Sequence, residues 1–209
     1  MKTITAVLWH NSANRLRQLQ FELNKIAHVK IFSAGALSDG QEDMGALYDA
    51  IDASDALLFN QTAADQAWTK INEYTKDIEK PIVYIGTEAA SFVRSMEQAK
   101  WTAVCNSYFT YGGSENLLNM VRWICAELLG EKISYGEVDR IPWDAIFAHD
   151  GRKNYQTPED FFAEYPASPK GTIALVISRS AWVSDDLAIE NAVIREILDT
   201  GYSVLPIFT

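Results

Sequence analysis

The sequence has few of the residues that build covalent or metal-bound cross-links. Its 209 residues include two cysteines and three histidines. Cys105 and Cys125 form no CxxC pair, and the histidines are far apart, with no HExxH spacing. Neither a disulfide framework nor a metal site is therefore expected. The two thiols are instead typical of small buried side chains in a reducing compartment.

Positive charge is also scarce. The chain carries 18 Lys and Arg residues against 28 Asp and Glu residues, which gives a net charge of −10. Binding to nucleic acid is driven largely by Lys and Arg that neutralise phosphates, so a nucleic-acid partner is excluded on composition. The same argument disfavours an anionic membrane surface. We interpret the acidic surface as a contribution to solubility.

Long apolar runs are missing as well. No window reaches the roughly 18 consecutive apolar residues that a membrane span requires. The first ten residues contain too short an apolar run for a signal peptide and have no small-residue cleavage site. The sequence therefore predicts a cytoplasmic protein.

Strand and helix signals alternate through the first part of the chain. Short β-branched apolar runs occupy residues 4–8, 29–32, 56–59 and 82–86. Apolar residues at helical spacing lie between them. Such alternation predicts βαβ units with right-handed crossovers. We expect residues 1–130 to form an α/β domain with a doubly wound, flavodoxin- or Rossmann-like parallel sheet.

The pattern changes after residue 130. Residues 131–170 contain four of the six prolines and little periodicity, which favours a linker or an arm. Residues 171–209 predict the start of a second βαβ unit, with strands at 172–177 and 204–208 and a helix that begins at Asp185 or Asp186. Two strands and one helix cannot bury a sheet. Either these strands join the first sheet, or the chain is the front end of a longer protein.

Sequence signatures of catalysis and of phosphate binding are absent. There is no GxGxxG, no GxxxxGK[ST] and no GxSxG. Gly112-Gly113, before a helical pattern, is more typical of a tight turn than of an anion site. The residues alone predict a binding module with no catalytic residue, no metal site and no resident cofactor.

One charged residue has an informative position. Arg179 follows the strand predicted at residues 172–177, so it is expected at the carboxyl end of a parallel strand. That end is where open α/β sheets bind ligands. A solvent-exposed or salt-bridged arginine is the alternative interpretation of the same residue.

Several stretches resemble one known family. Residues 111–123, which begin Tyr-Gly-Gly-Ser-Glu-Asn-Leu-Leu-Asn, are similar to a GGPEN-L-N element that starts a long helix in the CobN/magnesium chelatase large subunits. Residues 142–149, 158–166, 174–182 and 196–209 follow the order of later elements in that family. Two positions depart from the family pattern, because Ser114 and Asp150 stand where proline is expected.

The resemblance implies a function that composition and motif spacing alone do not predict. The chain would be the amino-terminal portion of a CobN-like cobaltochelatase large subunit, or a short relative of it. The full complex would bind a tetrapyrrole and a divalent metal, cobalt or magnesium, and would be driven by ATP through separate ATPase subunits. The metal-insertion residues of the family lie beyond this stretch, so the chain alone is expected to be inactive.

The same resemblance suggests a substrate-binding set of Arg179, Ser180, Trp182 and His149. An arginine can pair with the peripheral carboxylates of a tetrapyrrole, and an indole can stack on the ring. A non-catalytic flavodoxin-like module that binds a small ligand or a protein is the alternative function. A small nucleotide-handling enzyme is disfavoured by the missing phosphate loop.

Overall fold

The computed structural model describes residues 1–62, 66–149, 153–184 and 186–209. Its backbone contacts divide the chain into two compact units, Met1–Asp139 and Arg140–Thr209. Each unit has its own sheet and its own buried core. The division falls later than the boundary predicted after residue 130.

Strands and helices alternate through most of the first unit. Its strands are β1 (Thr3–Leu8), β2 (His28–Ser33), β3 (Ala56–Phe59) and β4 (Ile82–Tyr84). Its α-helices are α1 (His10–Gln18), α2 (Gln20–Leu23), α3 (Ala34–Ser38), α4 (Met44–Ala53), α5 (Ala67–Thr75), α6 (Met96–Tyr111) and α7 (Ser114–Trp123). A π-helical turn at Ile124–Leu128 continues α7.

The first sheet is parallel throughout, in the order β2-β1-β3-β4. This is the order of the first four strands of a flavodoxin-like sheet, so the predicted doubly wound fold is confirmed. The winding reverses at β1, which pairs with β2 on one side and with β3 on the other. The connections that follow β1 and β3 therefore run to opposite faces of the sheet.

Both faces of this sheet are buried. Ala6, Leu8 and Leu58 pack in a core with α1, α6 and α7, whereas Val7 and Phe59 pack in a second core with α4 and α5. Two-sided burial explains why these strands are continuous apolar runs in the sequence rather than alternating patterns. Each fully buried Leu or Phe side chain stabilises the fold by about 1.5–3 kcal/mol relative to an exposed one.

No helix is predicted from the sequence over Met96–Tyr111, where the structure has α6. The inward face of this helix includes two polar residues, Gln98 and Thr102. Gln98 is satisfied because its Nε2 donates to the Ile82 carbonyl at 2.9 Å and its Oε1 accepts from the Arg94 amide at 2.7 Å. A buried face that contains polar side chains gives little apolar periodicity, which is why the pattern fails to reveal the helix.

The turn predicted at Gly112-Gly113 is present. Both glycines have positive φ angles, 72° and 83°, a region that glycine adopts without steric cost.

After α7, residues 131–139 are held against that helix by two carboxamides. Asn116 exchanges hydrogen bonds with the backbone of Asp139 at 2.8 and 2.9 Å, and Asn119 accepts from the Gly136 amide.

The second unit has a mixed sheet of its own. Its strands are β5 (Ala145–Phe147), β6 (Asn154–Tyr155), β7 (Thr172–Ile177) and β8 (Ser203–Phe208), and its helices are α8 (Pro158–Glu164), α9 (Arg179–Val183) and α10 (Ala188–Asp199). The strand order is β6-β5-β8-β7. β7 and β8 are parallel, as the predicted βαβ unit requires, while β5 is antiparallel to β8.

Residues 131–170 thus differ from the predicted linker. The stretch from Arg140 onward contributes β5, β6 and α8 to the second unit. Strands of three and two residues are too short to show an alternating pattern, so the sequence gives no signal for them. The helix predicted from Asp185 or Asp186 begins at Ala188; Asp185 lies outside the described residues, and Asp186 precedes the helix.

β7 is an edge strand of the second sheet, and other residues cover its side chains poorly. Val176 is 59% exposed and Ile173 is 39% exposed, although both are apolar. On β8, by contrast, Val204 and Phe208 are fully buried in a core with Phe147 and Ile194. Ile173 and Val176 point to opposite faces of the strand, so β7 leaves apolar side chains exposed on both of its faces.

Candidate functional site

The residue predicted as a ligand contact, Arg179, lies at the carboxyl edge of the β7/β8 pair. Its backbone amide donates to the Thr209 carbonyl at 2.9 Å, which ties the end of β7 to the end of β8. Ser178 caps α9, because its hydroxyl accepts from the Ser180 amide. The position agrees with the expectation that Arg179 follows a parallel strand at its carboxyl end.

The Arg179 side chain is half-buried and holds neighbouring backbone. Its Nε donates to the Pro142 carbonyl at 2.8 Å, and its Nη2 donates to the Ile141 carbonyl at 3.1 Å. The guanidinium carbon lies 4.6 Å from the centroid of the Trp143 ring, within cation–π range. Arg179 therefore fixes the segment that leads into β5.

Ser180 and Trp182 lie on α9 beside this arginine. The Ser180 hydroxyl is exposed and lies 2.7 Å from the Ser178 hydroxyl. Trp182 stacks on Phe208, with ring centroids 4.6 Å apart and an interplanar angle of 22°. It also packs against the buried core of the second unit. One face of the indole that was predicted to stack on a ligand thus packs within the fold.

His149 does not join the other three predicted residues. β5 is antiparallel to β8, and Ala145 at its start pairs with Phe208 at the end of β8. His149 follows the other end of β5. It therefore lies near the amino-terminal ends of β7 and β8, whereas Arg179 lies at the carboxyl end of β7. There its ring contacts Tyr165, at a centroid distance of 4.8 Å. The structure brings together Arg179, Ser180 and Trp182 and separates His149 from them.

Sequence reasoning missed Trp143 as a residue of this edge. The antiparallel entry of β5 puts the residues before it at the carboxyl ends of β7 and β8. Trp143 is 57% exposed and packs against the Arg179 guanidinium. The only signal in the sequence was its place in the Pro142-Trp143 element that carries the family resemblance.

The first unit has a separate polar cluster at the carboxyl ends of β1 and β3. Asn60 directly follows β3 and is 8% exposed. Its Nδ2 lies 3.5 Å from the Ser12 hydroxyl on α1, and its Oδ1 faces the backbone of Gly86. The Gly86 amide in turn donates to Oδ1 of Asn106 at 2.8 Å. These side chains line the point where the winding of the sheet reverses, which is the usual ligand position of such folds.

The crevice beside this cluster is narrow. It is lined mainly by apolar side chains, among them Leu8, Ile85 and Phe109, with Ser12 as a polar member. The space inside it is sufficient for about one water molecule. A larger ligand at this edge would have to open the crevice.

Residues 106–209 match the family model described as CobN/Magnesium Chelatase. The chain belongs to the CobN/magnesium chelatase family. The match includes α7, from which the resemblance to a GGPEN-L-N element was drawn, and the whole of the second unit. The resemblance inferred from the sequence is therefore confirmed.

Two known proteins are similar to the chain along 99% of its length. It is 25% identical to an uncharacterized protein of Methanocaldococcus jannaschii, of which it covers 15%. The catalytic subunit of cobaltochelatase from Mycobacterium tuberculosis has a similar fold, with a TM-score of 0.62 at 15% identity, and the chain covers 16% of it. The chain thus spans about one sixth of the length of either protein.

The two cysteines of this chelatase-family chain lie in the core of the first unit. Burial raises the pKa of Cys125 to about 11, and it raises the pKa of Cys105 far above the usual range of a thiol. Both side chains are therefore neutral small hydrophobes at physiological pH. Among the described residues, no group of three or more His, Cys, Asp or Glu side chains is placed to hold a metal ion.

A helix that crosses a bilayer needs about 20 mostly apolar residues. Within the ranges that the structure describes, no helix combines the length and apolar character of a membrane span.

Proposed function

We propose that this chain is part of a CobN-like cobaltochelatase large subunit and acts in metal insertion into a tetrapyrrole, as in cobalamin biosynthesis. The proposal is carried by one combined observation: the family match over residues 106–209 and the fold match over 99% of the chain. Because the chain covers 16% of the matched catalytic subunit, it represents one part of such an assembly.

Metal insertion requires a distorted ring, the loss of pyrrole protons, and a metal held close to the ring nitrogens. Domains that close around the ring are suited to this task, and in this proposal the chain, with its two compact units, forms one jaw or the head of such a clamp. The divalent metal, cobalt or magnesium, is a substrate. ATP is hydrolysed by separate ATPase subunits, and no residue of this chain is assigned to the insertion step.

Assembly with the ATPase subunits tests this proposal. The chain and the ATPase subunits of the same organism would be mixed with ATP and separated by size-exclusion chromatography. We expect them to co-elute, whereas a flavodoxin of similar size and acidity, used as a control, elutes alone. Elution of the chain apart from the ATPase subunits, with and without ATP, contradicts the proposal.

Activity of the isolated chain is a second arm of the test. We expect no ATP hydrolysis and no cobalt insertion by the chain alone, because insertion is assigned to other parts of the large subunit. ATP turnover that disappears on substitution of one of its residues would overturn this assignment.

One observation favours the alternative, a non-catalytic flavodoxin-like binding module. The strand order β2-β1-β3-β4 places the buried carboxamide of Asn60 at the reversal point of the sheet. A module of this kind would bind a small ligand or a protein there without any chelatase subunits. Ligand binding that is lost in Asn60→Ala, together with no ATPase-subunit assembly, would favour this function over the first.

A further inference from the structure

Trp143 is a large aromatic side chain at the edge of a parallel strand pair, and 57% of its surface is exposed. We infer that Trp143 is the residue on which a flat conjugated ring stacks at this edge, and that Arg179 is its positioning residue. The inference rests on the proposed function, which makes the ring a tetrapyrrole. It moves the stacking role from Trp182 to Trp143.

The indole of Trp143 is held in place before any ligand arrives. On one side it packs against the Arg179 guanidinium, whose carbon lies 4.6 Å from the ring centroid. That guanidinium is itself fixed by its bonds to the carbonyls of Ile141 and Pro142 at 3.1 and 2.8 Å. The arginine therefore anchors both the aromatic ring and the backbone that carries it. A pre-ordered contact residue lowers the entropy cost of binding.

The chemistry of this edge suits a flat ring with polar groups on its periphery. An indole offers a broad π face, and offset stacking on such a face is favourable for conjugated ligands. Exposed hydroxyls belong to Ser178, which caps α9, and to Ser180 on α9, the two neighbours of Arg179 in sequence. The two oxygens lie 2.7 Å apart, so one hydroxyl donates to the other and the remaining one can donate to a peripheral carboxylate or carboxamide. The positive charge of Arg179 adds attraction for anionic groups on the ring.

Two other tryptophans serve as comparisons. Trp182 lies near the same edge, but it stacks on Phe208 and packs against the core, so it is placed to support the fold. Trp9 is 48% exposed and belongs to the first unit. It therefore offers a control, an exposed indole that belongs to the other unit.

The test titrates the whole chain with two macrocycles, cobyrinic acid and coproporphyrin, and follows the visible absorption of the ligand itself. We expect sub-millimolar binding of at least one of them by the wild type. Trp143→Ala should raise the Kd about tenfold or more, and Trp143→Phe should raise it less, because a smaller aromatic face remains. Trp9→Ala should bind as the wild type does.

Arg179→Lys tests the positioning role, because lysine keeps the positive charge but lacks the planar guanidinium with its fixed set of N–H donors. We expect weaker binding and loss of the near-ultraviolet circular dichroism that Trp143 contributes, identified by comparison with Trp143→Phe. An Arg179→Lys protein with unchanged affinity and an unchanged spectrum contradicts the positioning role.

Equal affinities of wild type and Trp143→Ala overturn the stacking role. Absence of any binding by the wild type overturns the site in this chain as well. Neither result decides the proposed function, because that is measured separately through assembly with the ATPase subunits. If the chain assembles with the ATPase subunits but binds no macrocycle, the proposed function stands and Trp143 has no stacking role in it.

Discussion

The guanidinium of Arg179 lies against the ring of Trp143 and donates hydrogen bonds to the two carbonyls that precede this residue. One side chain on α9 therefore secures the segment that enters β5. We expect Arg179→Ala to lower the unfolding free energy of the second unit by about 1–3 kcal/mol, because it leaves half-buried carbonyls without their charged donor. Urea unfolding, with hydrogen exchange at residues 141–147 as the local readout, measures this.

Arg195→Ala is the matched control for this prediction. Arg195 is exposed on α10, and its Nε donates to the Asn191 carbonyl on its own helix. Its loss should change stability by less than about 0.5 kcal/mol, as is usual at exposed positions. Equal effects of the two substitutions would show that Arg179 does not anchor the segment.

Gly86 is expected to tolerate no side chain. Its φ angle is +97°, and a Cβ atom built there would lie 2.3 Å from Oδ1 of Asn60. Gly86→Ala should therefore destabilise the first unit by about 1–3 kcal/mol, through backbone strain and displacement of the Asn60 carboxamide. Thermal unfolding of the purified variant measures the loss.

Gly40→Ala separates the two causes. Gly40 also has a positive φ, +68°, but nothing lies within 4 Å of a Cβ built there. We expect this variant to lose stability from strain alone, and so to lose less than Gly86→Ala. In the double variant Gly86→Ala/Asn60→Ala, the collision is removed and the coupling energy should be favourable. Strictly additive losses would contradict the close approach of Gly86 and Asn60.

The buried thiols predict a loss of stability at alkaline pH. Burial raises the pKa of Cys125 to about 11, from an ordinary value of about 8.5. A group whose pKa is raised by folding contributes stability that is complete below its unfolded pKa and is lost as pH rises toward its folded pKa. The unfolding free energy should therefore fall between about pH 8.5 and pH 11, and Cys125→Ala should reduce that fall.

Thiol labelling provides an independent measurement. Because the thiolate is the reactive form, neither Cys105 nor Cys125 should react readily with a disulfide reagent near pH 8 in the folded protein. Both should react once urea unfolds the chain. Rapid labelling of the folded protein, or equal pH slopes for wild type and Cys125→Ala, would contradict the burial of these residues.

The exposed edge strand β7 predicts a tendency to self-associate. Its sequence from Thr172 to Ile177 carries no charge and no proline, which are the usual protections of an edge. We expect Val176→Lys to reduce association at high concentration with little change in stability, since Val176 is 59% exposed. Light scattering as a function of concentration measures this.

Val193→Lys is the control, because Val193 is 40% exposed but lies on helix α10. A lysine there adds the same charge without altering the strand edge. Equal effects of the two substitutions would assign the association to net charge rather than to β7.

The sequence predicted the strands best where they are apolar along their length. The runs at 56–59 and 172–177 coincide with β3 and β7, because a continuous apolar run gives a strong local signal, although β3 is buried throughout and most of β7 is exposed. Helix α6 gave none, since its inward face includes Gln98 and Thr102. β5 and β6 were missed because pairing defines them more than their own residues do: β5 pairs with β8, far along the chain, and β6 pairs with β5.

The candidate site was predicted only in part for the same reason. Arg179, Ser180 and Trp182 are adjacent in sequence, so the strand that precedes them was enough to place them at one edge. The antiparallel direction of β5 is a property of tertiary pairing, and it decides that Trp143 joins this edge while His149 leaves it. No local pattern in the sequence encodes that direction.

The most direct test of the proposed function measures tetrapyrroles in the organism that makes this chain. The codons for these 209 residues would be deleted in frame, and the metal-free and metallated forms would be quantified by mass spectrometry. We predict that the metal-free ring accumulates and its metallated product is lost, and that a plasmid copy restores the ratio. An unchanged ratio of metallated to metal-free tetrapyrrole in the deletion strain would contradict a role in metal insertion.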